Sequence, residues 1–160
     1  MVGRKSFWVW MLIAAFWIIF DQTSKYYAEL LLEFARPIEV FPFFNWTLLY
    51  NEGAAFSFLS DAGGWQRWFF SILAGTVSVV IAVWLWKLPQ HEKLNGFALS
   101  CVLGGAVGNL IDRVRLGHVV DFLDFYYQNS HWPAFNVADV AIVCGVILML
   151  LDGFINKESK

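Results

Sequence analysis

Residues 68–86 and 94–111 contain no charged side chain, and each run approaches the ~20 mainly apolar residues that a helix needs to cross a bilayer. Hydrocarbon offers no partner to a backbone N–H or C=O, so a crossing segment must satisfy its own hydrogen bonds. Two further runs reach spanning length less directly. Residues 7–20 are uncharged but short, and they span only if the helix continues through Asp21, Gln22, Thr23, Ser24 and Lys25; residues 137–155 carry Asp139 and Asp152 near their ends. The expected spans are therefore 7–27, 66–86, 94–112 and 137–155. They predict an all-α polytopic membrane protein, with residues 1–160 forming one membrane-embedded domain and no internal repeat or linker.

Composition agrees: 59% of residues are hydrophobic and 15% charged, against ~25% charged in an ordinary soluble domain. The net charge of −2 with both signs present gives no footprint for nucleic acid. Cys101 and Cys144 lie in apolar runs and are expected to be small buried residues. His91, His118 and His131 are scattered and form no zinc-hydrolase pattern, so neither a metal nor a cofactor is expected. Arg4 and Lys5 before an apolar run also fit a removable signal peptide, but no small-x-small cleavage site follows Phe20, which favours a retained helix.

Lys and Arg mark the cytoplasmic side of a membrane protein. Arg4, Lys5, Lys87, Lys93, Lys157 and Lys160 fall on one side of the four spans, so both termini are expected in the cytoplasm. Two long segments, 28–64 and 112–136, then face outward. The first is rich in aromatic and β-branched residues and reads as a small sheet or half-barrel at the membrane surface, with Phe41, Phe43, Phe44 and Trp46 on the interface. The second mixes apolar and acidic residues over 119–128 and reads as a short interfacial helix.

Ionisable groups at membrane depth are costly unless paired, which makes them functional candidates. Here they gather at one end of the bundle: Asp21 and Lys25 on the first span, Asn109, Asp112 and Arg113 on the third, Asn136 and Asp139 at the start of the fourth. Each has a plain structural alternative. Asp21 and Lys25 have the spacing of a helix ion pair, Asp112 and Arg113 could be a satisfied helix end, and Asn136 with Asp139 resembles a helix N-cap. Asp121 and Asp124, taken singly, read as solvated surface.

Read in order, five motifs resemble the lipoprotein signal peptidase (signal peptidase II) family, aspartic peptidases of the bacterial cytoplasmic membrane. They are Asp-Gln-Thr-Ser-Lys at 21–25, Asn-Glu-Gly-Ala-Ala-Phe at 51–56, Gly-Gly-Ala-Val-Gly-Asn-Leu-Ile-Asp-Arg at 104–113, Gly-His-Val-Val-Asp-Phe at 117–122 and Phe-Asn-Val-Ala-Asp at 135–139. The resemblance implies a catalytic pair at Asp121 and Asp139, with Asn51, Gly53, Asn109, Asp112, Arg113 and Asn136 lining or supporting the site. Asp21 and Lys25 become a supporting pair. It implies a substrate as well: a prolipoprotein whose lipobox cysteine carries diacylglycerol, cut on the N-terminal side of that cysteine at the outer membrane face. Membrane lipid is the other expected contact, and a monomer suffices to close the polar cleft.

Two close carboxyls suit this chemistry because they cannot both ionise cheaply, so one serves as base and the other as acid. Three rival readings exist. Lys25 could activate Ser57 or Ser60 as a Ser/Lys peptidase. The acids could form a proton relay in a carrier, although they collect at one face and no paired broken helices are visible. A membrane assembly factor without chemistry would leave the five motifs unexplained.

Overall fold

The computed structural model describes residues 4–53 and 64–157. Its elements in chain order are α1 (Arg4–Leu31), β1 (Ile38–Phe41), β2 (Phe44–Asn51), α2 (Trp65–Lys87), α3 (Lys93–Arg115), β3 (Val119–Tyr127), β4 (Ser130–His131) and α4 (Val137–Lys157). All four helices are long and apolar enough to cross a membrane. The first is longer than expected, so Asp21 and Lys25 lie well inside it, with almost two further turns before Leu31.

Helix α3 is the most enclosed of the four spans, and its sequence explains why. Gly96, Ser100, Gly104 and Gly108 recur every fourth residue along one stripe, and small side chains let helices approach closely where lipid supplies no hydrophobic drive. A Cβ at Gly104 would lie 2.8 Å from the Ala14 carbonyl oxygen of α1; at Gly105 it would collide with the Ala138 carbonyl of α4. The apolar core at the other end of the bundle joins Ala14, Ile81, Leu85, Leu88, Leu99 and Leu103. Most large apolar residues of α1, α2 and α4, such as Leu12, Phe16, Ile72, Val79, Ile147 and Leu150, face outward, as lipid-facing helices require.

The strands form one antiparallel sheet in the order β1-β2-β3-β4. Pro42 and Phe43 make the tight β1–β2 turn, Phe43 at φ 75, held by a bond from the Tyr126 N–H to its carbonyl. The sheet thus draws on both long segments between spans, whereas the sequence reading drew it from the first alone. Residues 119–128 are not the short interfacial helix expected; β3 occupies them. Their acids, three apart, mimic a helical period, but the Val, Phe and Tyr around them favour a strand, and β2 supplies a partner from Val119 to Phe125. Aromatic pairs lace this surface: Phe41 with Phe44, Phe44 with Phe125, Phe43 with Tyr127. Phe41, Phe43 and Trp46 are exposed, while Phe44 is buried.

Candidate active site

Five elements, α1, β2, α3, β3 and the start of α4, deliver carboxylates and amides to the junction between helices and sheet. Strand β3 carries Asp121, opposite Leu49 of β2, with a bulge between Trp46 and Leu49. Asn51 lies two residues beyond Leu49 on the same strand face, and its Nδ2 donates to Asp121 Oδ2 at 3.1 Å. Helix α4 begins with Asn136 as N-cap. The Asp139 N–H donates to Asn136 Oδ1 at 3.0 Å and the Asn136 N–H donates to Asp139 Oδ2 at 3.2 Å, the reciprocal bonding of a capping box.

The cap and the site are the same residues. Asn136 Nδ2 also donates to Asp121 Oδ1 at 2.7 Å, so one asparagine touches both carboxylates. Asn109 of α3 donates from Nδ2 to the remaining oxygen of Asp139, Oδ1, at 2.9 Å. Its own Oδ1 accepts from Lys25 Nζ at 2.8 Å and from Asn136 at 3.2 Å. The amide orientation is thereby fixed, because a lysine can only donate.

Lys25 is enclosed on all sides. Its ammonium pairs with Asp21 at 2.8 Å and Asp112 at 2.7 Å and uses its third donor on Asn109. The pair expected on a helix surface is therefore a buried bridge between α1 and α3. Asp21 further accepts from the Ala138 N–H of α4 at 2.9 Å, and Asp112 from the Val120 N–H of β3. These acids tie α1 and α3 to the two chain segments that carry Asp139 and Asp121. Arg113 donates from Nη2 to the Gly53 carbonyl at 3.2 Å, while the Gly53 N–H donates to Asn51 Oδ1.

All ten side chains or backbones singled out in the sequence thus meet in one network. Asp121 and Asp124, read singly as surface, are both buried. Cys101 is buried as expected; Cys144 is exposed instead, one turn beyond Val140 along α4, where it lines an open cavity. Sequence reasoning misses Gln22, whose Nε2 donates to Asp112 Oδ1 at 2.7 Å; its place inside the 21–25 motif was the available signal. It also misses Arg67 of α2, which donates to the Arg113 and Val114 carbonyls and so caps the C-terminal turn of α3. Ser57 and Ser60, with Ala54, Ala55 and Phe56 of the second motif, lie outside the described residues.

The network opens on a cavity of about 540 Å³ whose wall includes Asp121, Asp139, Asn109 and Arg113, continued by the apolar Val140 and Val143 of α4. Burial, reinforced by the charge of Asp139, raises the Asp121 carboxyl to about 7, against the lowering effect of its bonds to Asn51 and Asn136. An acid of that strength is present in both protonation states near neutrality. Among the described residues, no three His, Cys, Asp or Glu side chains converge as a metal site. Lys25 spends its three donors on two carboxylates and an amide.

Known proteins agree with this architecture. The family model described as signal peptidase (SPase) II matches residues 13–155. A lipoprotein signal peptidase of Acinetobacter baumannii is 52% identical over 152 residues, 95% of this chain and 86% of that protein; one of Tolumonas auensis is 53% identical over 151 residues, 94% and 92%. A solved bacterial membrane enzyme, determined by the in meso method, superposes with a TM-score of 0.84 at 35% identity, covering 95% of this chain and 91% of its own. With four spanning helices, a buried carboxylate network at one end of them and a family match over most of its length, the chain belongs to the signal peptidase II family of membrane peptidases.

Proposed function

We propose that the chain is an aspartic endopeptidase that removes the signal peptide from diacylglyceryl-modified prolipoproteins, cutting on the N-terminal side of the lipid-modified cysteine. The family supports signal-peptide removal from prolipoproteins; the mechanism rests on the site. One observation carries it: Asn136 bonds Asp121 and Asp139 together, and both line one cavity.

In this reading the pair shares one proton. The ionised carboxylate takes a proton from water as its oxygen attacks the scissile carbonyl, and the protonated carboxyl donates to the carbonyl oxygen. Collapse of the tetrahedral intermediate breaks the C–N bond: the proton first taken from water passes to the departing amine of the cysteine residue, and a hydroxyl of the intermediate returns its proton to the other carboxylate as the carbonyl re-forms. The pair is thus left with one shared proton for the next cycle. Asn109, Asn136 and Asn51 hold the carboxylates, Asp21, Lys25, Asp112 and Gly53 brace that frame, and Arg113 is available to the substrate backbone.

The enzyme would work as a monomer in the bacterial cytoplasmic membrane, as one embedded domain, with both termini in the cytoplasm and the site at the outer face. The apolar wall of the cavity suits a signal-peptide helix and acyl chains that stay in lipid, while the exposed aromatic rings of the sheet suit the membrane interface. Cleavage of a diacylglyceryl-modified prolipoprotein by purified protein tests the proposal. Asp121→Asn and Asp139→Asn, each verified as folded, are expected to lose at least ~10²–10⁴-fold in kcat/KM, the usual worth of general acid–base catalysis. Retained cleavage in either variant excludes the paired mechanism.

A further inference from the structure

Asp121 faces a second cavity as well, and its chemistry differs from the first. This space of about 620 Å³ lies over the sheet, shares Asn51, Asp121 and the 132–134 loop with the apolar cavity, and adds Thr47, Asp124 and His131. Asp139 is absent from its wall, as are Val140 and Val143. The two spaces therefore meet at Asp121, one bounded by a spanning helix and the other by strands.

Asp124 is buried, yet it is held as an anion. Burial opposes its charge, but bonds from His131, Asn45 and Thr47 outweigh that and hold the carboxyl below the usual range. The Thr47 hydroxyl donates at 3.0 Å and Asn45 Nδ2 at 3.2 Å to Oδ2, while His131 Nδ1 lies 2.8 Å from Oδ1. An ionised carboxylate only accepts, so the ring nitrogen in this contact, Nδ1, carries a proton. His131 is half-exposed while Asp124 is not. Among the described residues lining this space there is no lysine or arginine, and Arg36 beside it is paired with Glu33.

We propose that this sheet-side cavity receives the residues immediately after the scissile bond, and that Asp124 with His131 makes it select against acidic side chains there. The proposal rests on the reading of Asp121 and Asp139 as the cleaving pair. Its direction follows from solvation. The segment before the bond is apolar and belongs with Val140 and Val143, whereas the mature chain leaves the membrane and passes over polar strands. A carboxylate brought into a space lined by Asp121 and Asp124, with no lysine or arginine among its described lining residues, meets like charge, whereas an ammonium or amide donor finds carboxylate oxygens to donate to. One unit charge a few ångströms away in a partly solvated site alters binding by roughly five- to tenfold.

The test uses full-length enzyme in liposomes and diacylglyceryl-modified prolipoproteins with Lys, Gln or Asp directly after the cysteine. Wild type is expected to cleave the Lys and Gln substrates roughly five- to tenfold faster, in kcat/KM, than the Asp substrate. Asp124→Asn should compress that ratio toward unity. His131→Lys keeps a donor for Asp124 and adds fixed positive charge at an exposed position, so it should erase or reverse the ranking even if Asp124→Asn does not fold. A flat wild-type profile, or an unchanged ranking in His131→Lys, overturns the proposal. Asp121→Asn separates the two readings: it should abolish cleavage of all three substrates, and if it still cleaves them with the Asp substrate slowest, the catalytic assignment fails while the selection by Asp124 stands.

Discussion

At the scale of single residues, Asp121 owes its properties to its neighbours. Burial and the charge of Asp139 raise its carboxyl to about 7, whereas the bonds from Asn51 and Asn136 pull it down. In the proposed mechanism the two aspartates share a proton, so the profile of kcat/KM belongs to both. Activity is expected to fall on the alkaline side as the shared proton leaves, with that limb near pH 7. Asn51→Ala removes a bond that favours the ionised form, so the limb should move to higher pH, by about one unit at most given the worth of one charge-assisted hydrogen bond; a move to lower pH contradicts the assignment. Stability has a definite sign too. Between the carboxyl's ordinary value of 3.8 and about 7, the folded protein keeps a proton that the unfolded chain has lost, so this group's contribution declines as pH rises through that window. The sequence could name Asp121 by motif but read alone made it surface. The bulged ladder with β2 and the cap of α4 lie far from it in the chain, and they bury it.

At the scale of elements, four spans were legible because hydropathy over a spanning length is a local property. The strand at 119–127 was not, because acids at 121 and 124 have helical spacing and only pairing with β2 decides between periods. How closely helices approach is likewise a matter of partners. Gly105 faces the Ala138 carbonyl and Ile142 of α4, where a Cβ would collide, while Gly153 has nothing within 4 Å. Gly105→Ala should push α4 off α3 and cost ~1–3 kcal/mol, the range for overpacking. Activity should fall with it, since Ala138 adjoins Asp139. Gly153→Ala, at an open helical position, should be neutral or stabilising by up to ~1 kcal/mol. Thermal midpoints in one detergent check both; equal effects at the two glycines would mean that α3 and α4 are not in this contact.

At the scale of the whole molecule, the basic residues divide into two kinds. Those at the sheet end are mostly engaged: Lys25 with Asp21 and Asp112, Arg36 with Glu33, Arg67 with the α3 carbonyls, Arg113 with Gly53. Lys87 and Lys93 instead flank the short loop at the opposite end, where Phe7 of α1 meets Trp86 of α2. Orientation depends on charge near the ends of spans, with short loops counting most, so the loop end is expected in the cytoplasm and the sheet end outside. Single cysteines test this in a Cys144→Ser background, Cys101 being buried. Asn129→Cys, in the exposed β3–β4 turn, should react with a membrane-impermeant maleimide in intact spheroplasts, and Gln90→Cys, exposed in the loop, only after the membrane is opened. The reverse pattern would put the carboxylates on the cytoplasmic face. The acid–base chemistry of the pair would be unchanged there, but the site could not meet a substrate that has already crossed the membrane, so orientation carries the biological reading as much as the aspartates do.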